Sequence, residues 1–284
     1  MLRYVGLTLL LIATLIRPAW ADMRHYTAEY RIYLSGILLS IVDLQLSLSD
    51  TAYRLSAHIG PAGVGHILSD SHVIATTRGA LVKGDFRPER IDLSWSSDSG
   101  VKSTYMDYEN GVPLRFHSGY ELPPEAQPKI KVDITKIGSG SVDPFLAMLA
   151  PIKTAPLAQA CIGKIRVFDG RRLATLTADN PQPIAVAAHD YESRIPLVKC
   201  AVEWQPIAGY SERSMARADD LPPIEAYYGR VAATGFAAPL EMQAETRYGA
   251  ISIYAKRFFE PVARLPKPFD MADFLDDEDE EDNE

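Results

Sequence analysis

Apolar and polar residues alternate one for one along most of this chain. In "VDLQLSLSD" Val42, Leu44, Leu46 and Leu48 share one face, and Asp43, Gln45, Ser47 and Ser49 the other. "AYRLSAHIG" repeats the pattern, with Tyr53, Leu55, Ala57 and Ile59 opposing Arg54, Ser56 and His58. A period of two is the mark of a strand with one buried and one solvated face. The turn residues "SDTA" between these two runs predict a hairpin. The same rule extends to Ile91, Leu93 and Trp95, to Ile130, Val132 and Ile134, and to Leu240, Met242, Ala244 and Thr246 before "GAISIYAKRF" begins again. About a dozen strands joined mostly by short turns are expected. Half-buried alternation belongs to antiparallel sheets. The fold class is therefore all-β: a single strongly curved antiparallel sheet forming an open or spiral β-barrel.

One short helix interrupts the pattern. "SVDPFLAMLAP" offers Asp143 as N-cap, Pro144 at the first helical position and Pro151 as terminator, which predicts a helix over 143–150. Phe145, Met148 and Leu149 fall on one side of it, so it is expected to lie against or inside the curved sheet.

The N-terminus has a different grammar. Arg3 precedes an apolar stretch from Val5 to Ile16, and Ala19-Trp20-Ala21 precedes Asp22. Basic start, apolar run and small-x-small site together describe a secretory signal peptide, residues 1–21, cleaved after Ala21. The run is too short for a bilayer span, which needs about twenty residues, so no transmembrane span is expected in the mature chain. No cysteine follows the site, which argues against a lipid anchor. Export also decides how Cys161 and Cys200 are read. In an oxidising compartment two cysteines and no others most simply pair, and a disulfide is predicted.

The formal charge of −8 is concentrated at the C-terminus. The segment 270–284, "DMADFLDDEDEEDNE", carries ten acidic residues and no basic one. Without it, and without the two arginines of the leader, 27 basic residues face 27 acidic ones. The body, 22–269, is thus a neutral single domain. The tail is expected to be disordered and solubilising rather than a calcium site or a basic-partner site.

The search for chemistry is mostly negative. His58, His66 and His72 have no zinc-like spacing, and His25, His117 and His189 are isolated in sequence. "GSGS" at 138–141 lacks the strand–helix frame of a nucleophile elbow. Neither a dinucleotide fingerprint nor a phosphate loop occurs. Acids and bases interleave, so no nucleic-acid footprint exists. No catalytic residue, metal or cofactor is assigned. In "CIGKIRVFDGRRLATL" Asp169-Gly170 joins two strand-like runs, the signal of a two-residue type I′ hairpin turn. Arg171 and Arg172 leave that turn on opposite faces and are the candidate contacts for a ligand head group.

Several stretches together resemble a bacterial envelope family known as domain of unknown function 3108: "AEYRIYLSGI" (28–37), "YRLSAHIG" (53–60), "GSVDPFLAML" (140–149), "IRVFDGRRL" (165–173), "PIAGYSERSMAR" (206–217) and "AETRYGAISIYAKRF" (244–258). The likeness spans nearly the whole mature body. It implies an exported, β-rich protein in the periplasm of a Gram-negative bacterium, distantly like disulfide-bearing β-spiral envelope-integrity proteins and the half-open barrels of lipoprotein carriers. From this the expected function is non-enzymatic cell-envelope maintenance, with a lipid or amphipathic small molecule as ligand. A hydrolase acting on envelope glycan or lipid is the alternative, requiring His117 or His189 beside a serine or two convergent carboxylates. An envelope protein docked on the sheet edge or tail is a third possibility.

Overall fold

The computed structural model describes residues 23–96, 100–119, 128, 130–137, 141–151, 155–161, 163–184, 196–218, 222–231, 234–246 and 248–274. Its strands are β1 (Arg24–Leu34), β2 (Ile37–Leu48), β3 (Ala52–Pro61), β4 (Val73–Val82), β5 (Asp85–Trp95), β6 (Lys102–Glu109) and β7 (Val112–Ser118). There follow β8 (Ala150–Pro151), β9 (Gly163–Phe168), β10 (Leu173–Ile184), β11 (Leu197–Ala208), β12 (Ile224–Val231), β13 (Phe236–Thr246) and β14 (Gly249–Val262). All but β8 lie in one antiparallel order, β7-β6-β5-β4-β3-β2-β1-β14-β13-β12-β11-β10-β9, and β8 pairs with the start of β13. The expected all-β, strongly curved, unclosed sheet is what forms.

The curvature is visible in which rings meet. Phe86 on β5 stacks on Phe236 on β13 at 4.7 Å, although five strands separate them in the sheet. Tyr53 meets Phe86 edge-on at 4.8 Å, and the Tyr30 hydroxyl donates to the Pro239 carbonyl at 2.8 Å. The alternating residues Leu44, Leu46, Leu48, Tyr53, Leu55 and Ala57 all point into this core and are essentially buried. The sheet's free ends, β7 and β9, come together through side chains, with Phe116 and Phe168 at 5.8 Å. The outer edge of β9 is not left bare: Val142 N donates to Arg166 O (3.0 Å) and Phe168 N donates to Val142 O (2.9 Å). A covered edge cannot template pairing with another chain.

Five sequence expectations need correction. The helix expected over 143–150 is a single 3-10 turn, Leu146–Met148. Phe145 holds the cap position, while the Asp143 side chain accepts through Oδ1 from Phe145 N and Leu146 N at 2.9 and 3.0 Å. Val142, Leu146 and Leu149 enter the main core, so the segment lies inside the barrel. Ile130, Val132 and Ile134 do not form a strand. Asp133 caps a 3-10 turn, Ile134–Lys136, by accepting from Thr135 N at 3.1 Å. The β9–β10 turn is centred on Gly170-Arg171, one residue later than expected, with positive φ (88°) at Gly170 alone. Asp169 instead accepts from the N–H groups of Arg171 and Arg172 through its side chain, so its own φ need not be positive. Two short α-helices interrupt loops where none was expected: α1 (Gly65–Leu68) and α2 (Glu212–Arg217), the latter capped by Ser211.

The fifth correction concerns the C-terminus. The ordered chain does not stop at 269: Met271–Phe274 forms a 3-10 turn, and Phe274 stacks on His58 at 3.8 Å. Before it, Lys267 O accepts from Gln45 Nε2 at 3.2 Å. This strap crosses the face of β2 and β3 that alternation assigns to solvent, and Gln45, Ser47, Ser56 and His58 are buried there. The rest of the acidic run, and the signal peptide with Ala21, lie outside the described residues.

Cys161 and Cys200 are joined, with Cα atoms 5.2 Å apart. The bond ties the 3-10 turn Leu157–Cys161 to β11 and centres a second core of Ala160, Val198, Val202, Ala226, Tyr228 and Ala237. On β13, Ala237 belongs to this core while its neighbours Phe236 and Ala238 belong to the main one. The two cores therefore sit on opposite faces of the same strand.

Candidate functional site

The barrel opens between β5–β6 and the β9–β10 turn. An outer chamber of about 210 Å³ is lined by Leu93, Trp95, Lys102, Thr104, Ser118, Asp169, Gly170 and Arg171. It adjoins an inner chamber of about 60 Å³, with which it shares Leu93, Thr104, Asp169 and Gly170. The inner walls are Ala75, Ile91, Met106, Phe168 and the Pro144–Phe145 end of the internal segment. The gradient is chemical as well as spatial: charge and hydroxyls at the rim, aliphatic and aromatic carbon inside.

The turn reaches this position because residue 170 is glycine. A Cβ there would stand 2.8 Å from Thr104 Cγ2, and its φ is left-handed, so a side chain is excluded twice. Around the rim, Lys102 lies 5.9 Å from the Trp95 ring and Arg172 lies 5.6 Å from the Tyr210 ring. The Asp169 carboxylate is held by the two backbone N–H groups at 2.9 and 2.6 Å. Of the two arginines named from the sequence, Arg171 lines the outer chamber, and Arg172 turns to Tyr210.

Beneath the inner chamber lies Asp143. Its Oδ1 caps the 3-10 turn, while its Oδ2 is enclosed without a hydrogen-bond partner. Burial raises its pKa above the usual carboxylate range, partly offset by the N–H groups of Leu146 and Phe145. The hydroxyls of Tyr53, Thr77, Tyr108 and Ser141 are buried around it and likewise lack partners. Burial pushes both tyrosines up as well, with Asp143 adding to the effect on each. Sequence reading named Asp143 only as a helix cap. Its second oxygen was invisible there, because the hydroxyls facing it come from β3, β4 and β6.

The histidines are placed as follows. His58 Nε2 lies 3.0 Å from His72 Nδ1, the rings stack, and Phe274 covers both at 3.8 and 5.1 Å. Burial, and then His72, lower the pKa of His58 to about 4. His117 stacks on Tyr105, and His189 lies outside the described residues. His25 meets a hydroxyl, Ser47 Oγ at 2.8 Å from Nδ1, as a directly opposed cross-strand pair. Ser47 is buried on the face away from the mouth, and His25 is half-buried. Glu29 and Asp43 also oppose each other, but Arg257 spans them at 3.2 and 3.7 Å, an ion-pair network rather than an acid–base pair. Among the described residues, no three His, Cys, Asp or Glu side chains converge on a metal-sized site, and no helix is long and apolar enough to cross a membrane.

No protein-family profile matches the chain and no curated sequence does, so membership of the family suggested by the motifs is not confirmed. Among solved structures, a β-barrel-like protein of domain of unknown function DUF1849 from Brucella abortus aligns over 85% of this chain and 99% of its own. The identity is 9% and the TM-score 0.41.

Proposed function

We propose that this chain is an exported, non-enzymatic protein of the bacterial envelope whose barrel mouth holds the apolar end of a small amphiphile. The head group rests at the rim, near Lys102 and Arg171. One observation carries the reading: two adjoining chambers pass from a rim with two cations and one carboxylate to a carbon-lined interior. Binding sites for small molecules are concave and mostly apolar with a few placed polar groups. The volumes limit the guest. Sites that swallow a whole drug-sized molecule span roughly 300–1,000 Å³, so only a chain end enters here, and a complete two-chain lipid does not. The leader-like N-terminus and the disulfide support export to an oxidising compartment.

The test is native mass spectrometry and solvent extraction of protein purified from a Gram-negative periplasm, followed by titration with decanoate and a lysophospholipid. A bound or readily accepted single-chain amphiphile is expected. Leu93→Trp, which fills the passage between chambers, should weaken decanoate binding at least tenfold, and Lys102→Ala should weaken it a few-fold. A protein that emerges empty and takes up neither probe would remove the ligand reading.

A further inference from the structure

The closed floor of the inner chamber holds five unpartnered buried oxygens: Tyr53 OH, Thr77 Oγ1, Tyr108 OH, Ser141 Oγ and Asp143 Oδ2. Their residues are 0, 2, 8, 0 and 4% exposed. A void of about 10 Å³, the size of one water, lies between Thr77 and Asp143. Neither this void nor the inner chamber is lined by lysine or arginine. Glu89 on β5 is acidic and exposed, and Asp169 at the chamber's other end is acidic as well. An enclosed carboxylate needs a cation or several donors, and one hydroxyl does not replace its hydration.

We propose that Asp143 is a proton-holding latch: as the neutral acid it stays enclosed beside Thr77 with no counter-ion, and so keeps Pro144–Phe145 seated as the floor of the ligand chamber. Loss of the proton leaves an enclosed anion with no lining cation. The floor then lifts to admit water, and the inner chamber deepens. Ligand uptake is thereby coupled to protonation. The inference rests on the ligand-binding reading above, but the latch itself has a readout that needs no ligand.

Native protein with Asp143 protonated binds a proton that the unfolded chain has released above its ordinary pKa of ~3.9. Wild-type melting temperature should therefore fall as pH rises above that value, while Asp143→Asn, which keeps the shape without the titration, lacks this component. Binding of 1-anilinonaphthalene-8-sulfonate should strengthen several-fold over the same pH interval in wild type and stay at the low-pH level in Asp143→Asn. Wild type and variant melting in parallel across the range would overturn the latch. So would wild type stabilised at high pH by sodium but not by choline, since the carboxylate would then hold a cation. If Asp143→Asn does not fold, carbon NMR of the wild-type carboxyl decides: a titration midpoint in the ordinary carboxylate range overturns the proposal, and one above it supports it. Absence of dye binding at every pH, with the melting difference intact, would remove the ligand reading and keep the latch.

Discussion

Two segments cover the back of this sheet, and they do so by opposite means. The Leu157–Cys161 turn covers β11–β13 with an apolar core and a covalent bond. The C-terminal strap covers β2–β3 with polar contacts and two phenylalanines, Phe269 at 5.7 Å and Phe274 at 3.8 Å from the His58 ring. Both bury a face that would otherwise meet solvent. The comparison teaches that a sheet face can be made internal without being made hydrophobic, provided its polar groups find partners. Ser56 with Thr76, His58 with His72, and Gln45 with Lys267 are those partners. The disulfide side depends on redox state, and the strap side depends on pH.

The largest effect expected from breaking this pairing is loss of the disulfide. Cys200→Ala opens a loop between residues 39 apart in sequence, and the chain-entropy account puts the cost on the order of 4 kcal/mol. Urea unfolding of the variant checks it. Hydrogen exchange should rise at 155–161 and β11 while the strap stays protected; loss of protection on both sides at once would mean the two covers form one unit. Next comes removal of the strap. Ending the chain at Pro266 exposes His58, Gln45 and Ser56 and removes Phe269 and Phe274, with an expected loss of about 2–3 kcal/mol and no change in exchange at Cys161.

A pH scan sharpens the contrast further. His58 is held near 4 in the native state and titrates near ~6.5 when unfolded. The unfolded chain therefore binds the extra proton, so strap-side stability is complete above the unfolded value and is lost as pH falls toward 4, with a slope of at most ~1.4 kcal/mol per pH unit. His58→Gln should flatten that acid limb in thermal melts, while Cys200→Ala keeps it. The smallest effect is Phe274→Leu, which retains apolar area but loses stacking on the two imidazoles, at about 1 kcal/mol. Its expected signature is a higher His58 pKa by proton NMR, because the ring becomes better hydrated.

Much of this architecture is readable in the residues. Strict alternation at 42–48 and 53–59 specifies strands, their facing and the hairpin between them, since a slip of one position would expose every leucine. The Asp-Gly pair located the β9–β10 turn to within one residue, and missed its centre because the Asp169 side chain supplies the capping that φ alone would otherwise require. Two cysteines and no others, behind a leader-like N-terminus, predicted their own bond. The candidate site was far less legible. Arg171 was singled out, but Leu93, Trp95 and Lys102 belong to strands some seventy residues earlier in the chain and carry no motif. Asp143 announced itself as a cap only.

By itself, then, the amino-acid order determined the period of the strands and the covalent clamp, because each is a property of neighbours in the chain or of a residue count. Only the tertiary structure decided which polar faces are buried, where the two sheet ends meet, and that one carboxyl is shut among hydroxyls from three strands. Those depend on how far a sheet of this length curls before its side chains touch, and curvature is a sum over every strand that no short stretch records.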